Sequence, residues 1–196
     1  YRARLSGRRE EISAVEAARA LARLEAAAAP DESTLAALLP LMDQPGGPKA
    51  LHALRSLKAL EEPLARWCSQ QKAPLAECAS LAALTGESQR GLLVLLRAVN
   101  PGGNVLRRWL GLLTGIALRQ GCPVEKVLDD SRIQEVLLDS QTARSAGREL
   151  ITRRLTELRY PETAIMRQRF DGTVKKLGLP GGIKIEPPES FEGGAA

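Results

Sequence analysis

The chain has 196 residues, enough for one large or two small domains with a real core, and a net charge of +5. Its apolar content is 44% but only 3% of residues are aromatic, so the apolar side chains are almost entirely Leu, Ala, Val and Ile. That composition suits packed helices, and the long alternating runs a sheet needs are absent. The fold class expected is all-α.

The first helix is expected at "SAVEAARALARL", where Ser13 and Glu16 make a capping box and Val15, Ala18, Leu21 and Leu24 recur at helical spacing. Pro30 ends it. A short second helix, "DESTLAALLPLM", starts at a cap near Asp31 and is bent or ended near Pro40. Next comes "QPGGPKALHALRSLKAL" (44–60), in which Gly46 and Gly47 supply a turn and Pro48 suits the first helical position. On an ideal helix Ala50, Leu54 and Leu57 share one side. Lys49, His52, Arg55 and Ser56 cover the other, and Lys58 borders the apolar stripe. No acid lies between Asp43 and Glu61.

Two further helices follow, with Pro63 and Pro74 at their starts, then a buried one at "ESQRGLLVLLRAV". A second PGG corner precedes "NVLRRWLGLLTGIALRQG", expected to be capped by Asn104 and to run to Gly121. Past "GCPVEKVLDD", Ser131 and Gln134 form another capping-box pattern. Two basic helices follow, and then a Gly/Pro-rich tail with a strand-like piece at Ile183–Ile185. The divisions read are 1–12 as linker or the end of an upstream domain, 13–121 as a helical domain, 122–179 as a basic helical segment and 180–196 as tail.

The charge is unevenly spread. Residues 88–124 carry five arginines and no acid, and residues 141–176 hold nine Lys/Arg against four acids. Basic faces of this kind point to an anionic partner, most often nucleic acid; a plainly solvated helix face gives the same pattern. Lys49, His52 and Arg55, three apart, suit a helix that reads a groove, with Lys58 on the backbone. Arg107 and Arg108, near a helix N-terminus, are a second phosphate-contact candidate. Arg144, Arg148, Arg153, Arg154 and Arg159 form a third basic face, for which Glu149 and Glu157 are local partners. Trp67 and Trp109 are expected in the core, which leaves no stacking platform for single strands.

Other classes find little support. Cys68, Cys78 and Cys122 form no CxxC pair and His52 is the only histidine, so no metal site and no cofactor is expected. The cysteines fit small buried hydrophobes in a reducing cytosol. No serine or cysteine nucleophile partners His52, and the glycine corners lack the Lys-Ser/Thr of a phosphate-binding loop. No apolar run is long enough to span a membrane. A non-enzymatic, cytoplasmic protein is expected.

The order of elements resembles the central DNA-binding region of the ParB partition-protein family over roughly residues 8–100. "ISAVEAARALARL" matches the lead helix, and "STLAALLPLM" and "PKALHALRSLKAL" the two helices of its helix-turn-helix. "ARWCSQQKAPLAECASLAAL" matches the supporting helices. Residues 100–190 are similar to the downstream part of some ParB-like proteins. The resemblance implies duplex DNA as partner, a role in partition or transcription control at the nucleoid, and a homodimer in the full-length protein. The family's CTP-binding domain would lie upstream. Where family members often place small polar residues in the turn, this chain has Gly46, Gly47 and Pro48. That difference supports the alternative, a helical protein-interaction module on the same scaffold without sequence-specific DNA reading.

Overall fold

The structure, a computed structural model, describes residues 11–28, 30–138, 144–177 and 185. These residues form helices and connecting turns with no strand, an all-α fold. The strand-like piece at 183–185 and the segments 1–10 and 178–184 lie outside the described residues, Ile185 apart.

Helix α1 (Ala14–Ala28) begins at the reciprocal box read from the sequence. Glu16 Oε2 accepts from the Ser13 amide at 2.9 Å, and Ser13 Oγ accepts from the Glu16 amide at 3.3 Å. The Ser13 and Ser69 hydroxyls, 3.0 Å apart, join this cap to α4 (Glu62–Gln70). Helix α2 (Glu32–Leu38) is capped by Asp31, whose Oδ1 accepts from the Thr34 amide at 2.9 Å. A 3-10 turn over Leu39–Met42 takes up Pro40 near its start, where the missing N–H leaves nothing unsatisfied, and left-handed Asp43 closes it. The turn is then tied back to the start of α1. Asp43 Oδ2 accepts from the Ile12 amide at 3.1 Å, and Gln44 Nε2 donates to the Ile12 carbonyl at 3.1 Å.

Helix α3 (Pro48–Ser56) starts at Pro48, as expected, behind Gly47 at φ 101°. It buries Ala50, Leu51 and Leu54, with Leu57 in the 3-10 turn that follows, against α1, α2 and α5 (Leu75–Ala82). Leu51 extends the stripe read from the sequence. Helices α6 (Gly86–Val99) and α7 (Gly103–Gln120) supply Leu92, Leu95, Leu96, Leu113 and Ile116, all fully buried. The short α8 (Val124–Leu128) and α9 (Ser131–Leu138) lead to α10 (Arg144–Arg159), which packs on α6, α7 and α9. Ile151 and Leu155 of α10 are 0% exposed, so the buried cluster runs unbroken from Ala14 to Leu155.

Trp67 and Trp109 are buried, as expected. Trp109 Nε1 donates to Thr152 Oγ1 at 2.8 Å, which satisfies the indole where α7 meets α10. Replacing so large a buried ring with Ala typically costs about 3–5 kcal/mol. Cys68 and Cys78 are buried and Cys122 is half-buried. Helix α11 (Pro161–Lys176) follows Tyr160 and contacts α10, but none of its residues is buried.

Two caps differ from expectation. Gly102, not Asn104, is the N-cap of α7, and no side chain bonds the first amides there. At α9 the Arg132 amide donates to Asp130 Oδ1 at 3.1 Å, one residue before Ser131. Gln134 reaches the Leu128 carbonyl at 2.7 Å instead of closing a box with Ser131. No described helix is long and apolar enough to cross a membrane.

Candidate nucleic-acid interface

The site is built on α3, whose buried leucines fix which side turns outward. Lys49 and His52 are exposed on that side, and Lys58 is exposed in the following 3-10 turn. None of the three makes a hydrogen bond or ion pair among the described residues. At the N-terminus Gly47 offers no capping side chain and Pro48 no N–H, so the amides of Lys49 and Ala50 are uncapped. Uncapped amides and the positive end of the helix dipole favour an anion at this corner.

Arg55, expected to face a groove, is a brace instead. Its Nε donates to Glu25 Oε1 at 2.8 Å and its Nη1 to Glu32 Oε1 at 2.6 Å, so it clips α3 to the end of α1 and the start of α2. The Glu32 and Glu25 carboxylates hold its proton more tightly than in free arginine. Two acids therefore offset its charge, and reaching a base edge would require breaking both contacts. The partners lie 30 and 23 residues away in sequence, beyond any local spacing rule.

Arg107 and Arg108 stand on the second turn of α7, both exposed. Arg107 is also engaged: its Nε donates to Glu77 Oε1 at 2.6 Å, and the Glu77 side chain is only 2% exposed. The other carboxylate oxygen, Oε2, is buried with no partner. Held through Nε, the Arg107 side chain remains 66% exposed. Arg108 has no partner among the described residues. Helix α5 packs against both α3 and α7, and so links the two candidate groups.

Much of the third basic face has structural work. Arg148 Nη1 donates to the Val99 and Asn100 carbonyls at 3.4 and 3.1 Å, where it closes the C-terminus of α6. Arg154 grips Asp130 with both Nε (2.9 Å) and Nη2 (2.6 Å). Glu157 accepts from Arg154 and Arg132. The Arg159 guanidinium lies 5.4 Å from the Tyr160 ring centroid. Arg144 and Arg153 are exposed without a partner among the described residues.

Sequence reasoning did not anticipate a cleft of about 440 Å3 between α1, α3 and α4. Its floor is apolar, with Val15, Leu54 and Leu57, and Arg55 and Lys58 stand on its rim. No protein-family model, no curated protein and no solved structure matches this chain.

Proposed function

We propose that this chain is a ParB-like DNA-binding module that acts in DNA partition or transcription control at the nucleoid, with α2 and α3 as its helix-turn-helix. The observation that carries the reading is the outward face of α3. There Lys49 and His52 are exposed and unpaired among the described residues, near uncapped amides, on a helix whose other side is anchored by Leu51 and Leu54, and Lys58 is exposed and unpaired in the 3-10 turn that follows. Such a face suits phosphate contact and, through Lys49 and His52, approach to base edges. Arg107 and Arg108 supply backbone contacts, with Arg107 pre-aimed by Glu77. Arg55 supports the helix and is not a reading residue. Titration of a labelled duplex with the full chain at several salt concentrations tests this. Log affinity should fall linearly with log salt, at a slope of about −0.9 per phosphate neutralised.

The apolar-floored cleft beside α3 favours a second reading, a helical protein-interaction module on the same scaffold. Gly46, Gly47 and Pro48, which offer the turn no polar side chain, fit it too. Absence of duplex binding at about 50 mM salt, where phosphate contacts are strongest, would select this reading over the first.

A further inference from the structure

The connection between α6 and α7 differs from the one between α2 and α3. Asn100, Pro101 and Gly102 alone join the two long helices, with Asn100 left-handed at φ 43° and Gly102 as the N-cap. A short glycine-containing turn between two angled helices is the form of a helix-turn-helix. Between α2 and α3 the chain instead runs from Leu39 to Gly47 through a 3-10 turn. Helices α6 and α7 do not pack along each other. Helix α6 packs on α4, α8 and α10, and α7 on α5, α8 and α10, so the pair opens from its corner.

The first turns of α7 carry side chains that the fold does not use. Leu106, Trp109, Leu110 and Leu113 are buried, while Asn104, Arg107, Arg108 and Gly111 are exposed. At the helical repeat these four fall within an arc of about 100° on the side away from the core. Asn104 stands in the first turn but caps nothing, and its carboxamide has no partner among the described residues. Gly111 lies inside the helix, where glycine is unfavourable, yet no described atom lies within 4 Å of where its Cβ would stand. A bare backbone on an outward face leaves room for a partner to approach closely. Arg97, in the last turn of α6, is exposed and unpaired among the described residues, and no acid occurs in residues 88–124.

We infer that α6 and α7 form a second helix-turn-helix whose α7 enters the major groove of duplex DNA, with the Asn104 carboxamide on a base edge and Gly111 against the groove. A carboxamide pairs one donor with one acceptor, which matches the N6 and N7 edge of adenine. The first helix of such a pair crosses the backbone, which places Arg97 on phosphate beside Arg107 and Arg108. The inference rests on the duplex-binding reading and adds a base-reading residue on a helix other than α3.

Duplexes are selected from a randomised pool by the full chain. The enriched duplex and a shuffled one of the same composition are then titrated at several salt concentrations. The parent should prefer the enriched duplex. Asn104→Ala should lose roughly tenfold of that preference, at an A·T pair. Its log–log salt slope should stay that of the parent, because a neutral group releases no counterion. Arg97→Ala should weaken both duplexes alike, with a slope shallower by about 0.9. Gly111→Leu should lower affinity for both duplexes roughly tenfold or more through its clash with the groove. Its thermal midpoint should be no lower than the parent's, since the space around Gly111 is open and leucine favours a helix. A parent without sequence preference, an Asn104→Ala variant that keeps the parent's preference, an Arg97→Ala variant with the parent's slope, or a Gly111→Leu variant that binds like the parent would each overturn the inference and leave the duplex reading standing. A parent chain that binds no duplex would overturn both.

Discussion

The Nε of Arg107 lies 2.6 Å from Oε1 of Glu77, and the two side chains differ sharply in exposure, 66% against 2%. A surface arginine on α7 is thus moored to a carboxylate sunk in α5. Loss of the arginine strands that carboxylate, because Oε2 already has no partner. Arg107→Ala is therefore expected to destabilise the fold by about 2 kcal/mol. In a Glu77→Gln background, where no buried charge is left behind, the same change should cost a small fraction of that. Urea unfolding of the four proteins in this cycle measures the difference, and equal costs in both backgrounds would show that the contact carries no weight.

Arg55 and Lys49 look equivalent on a helical wheel, yet they should behave differently. Arg55→Ala cuts α3 from Glu25 and Glu32 and is expected to lower the thermal midpoint. Lys49→Ala removes an exposed, unpaired cation and should stay within about 0.5 kcal/mol of the parent. With duplex DNA the order should invert, Lys49→Ala losing affinity that Arg55→Ala largely keeps below its melting range. Anisotropy titrations beside thermal melts show both effects.

The corner before α3 allows a sharp comparison of two glycines. Gly47 has φ 101° and ψ 170°, a region essentially closed to side chains, although nothing lies within 4 Å of where a Cβ would stand. Gly47→Ala is expected to cost about 1–3 kcal/mol from backbone strain alone. At Gly46 a Cβ would meet Pro40 Cγ at 3.6 Å, an ordinary contact, so Gly46→Ala should be nearly neutral. Chemical denaturation of the two variants checks this.

The residues that were legible in the sequence are those whose partners are close in the chain. Ser13 and Glu16 are three apart, and their box formed as read. Pro48 set the start of α3, and Pro40 the end of α2, because a missing N–H acts locally. Trp109 was expected in the core, but nothing near it in sequence signals its bond to Thr152, 43 residues on. The same distance problem hid the site's main correction: nothing near Arg55 or Arg107 in sequence signals Glu25, Glu32 or Glu77. The caps at α7 and α9 were missed for a smaller reason. Gly102 and Asp130 lie one or two residues before the more obvious Asn104 and Ser131, and local propensity does not choose between such neighbours.

Acid should unfasten two sites. The hydroxyls of Ser33 and Thr34 and the Thr34 amide hold Asp31 at about 2, against an ordinary value of 3.8. Its cap on α2 is fully present above 3.8 and is lost as pH falls toward 2. The Arg154 guanidinium likewise lowers Asp130, so the clamp between α10 and the start of α9 holds at neutral pH and is lost on acidification. Asp130→Asn should be less stable than the parent at pH 7, and its stability should fall less as pH drops below 3.8. Denaturant titrations of both proteins at pH 7 and in acid measure the two slopes, and parallel slopes would remove Asp130 as a source.

The exposed cations of α3, of the 3-10 turn after it and of the start of α7 carry the functional reading, and one measurement addresses them directly. Duplex affinity is measured against salt for the parent chain and for a Lys49→Ala/Lys58→Ala/Arg108→Ala variant whose melting curve matches the parent. If these side chains hold phosphates, the log–log slope of the variant should be shallower by about 0.9 for each contact removed. A variant with the parent's affinity and slope, or a parent chain with no measurable duplex binding at about 50 mM salt, would contradict it.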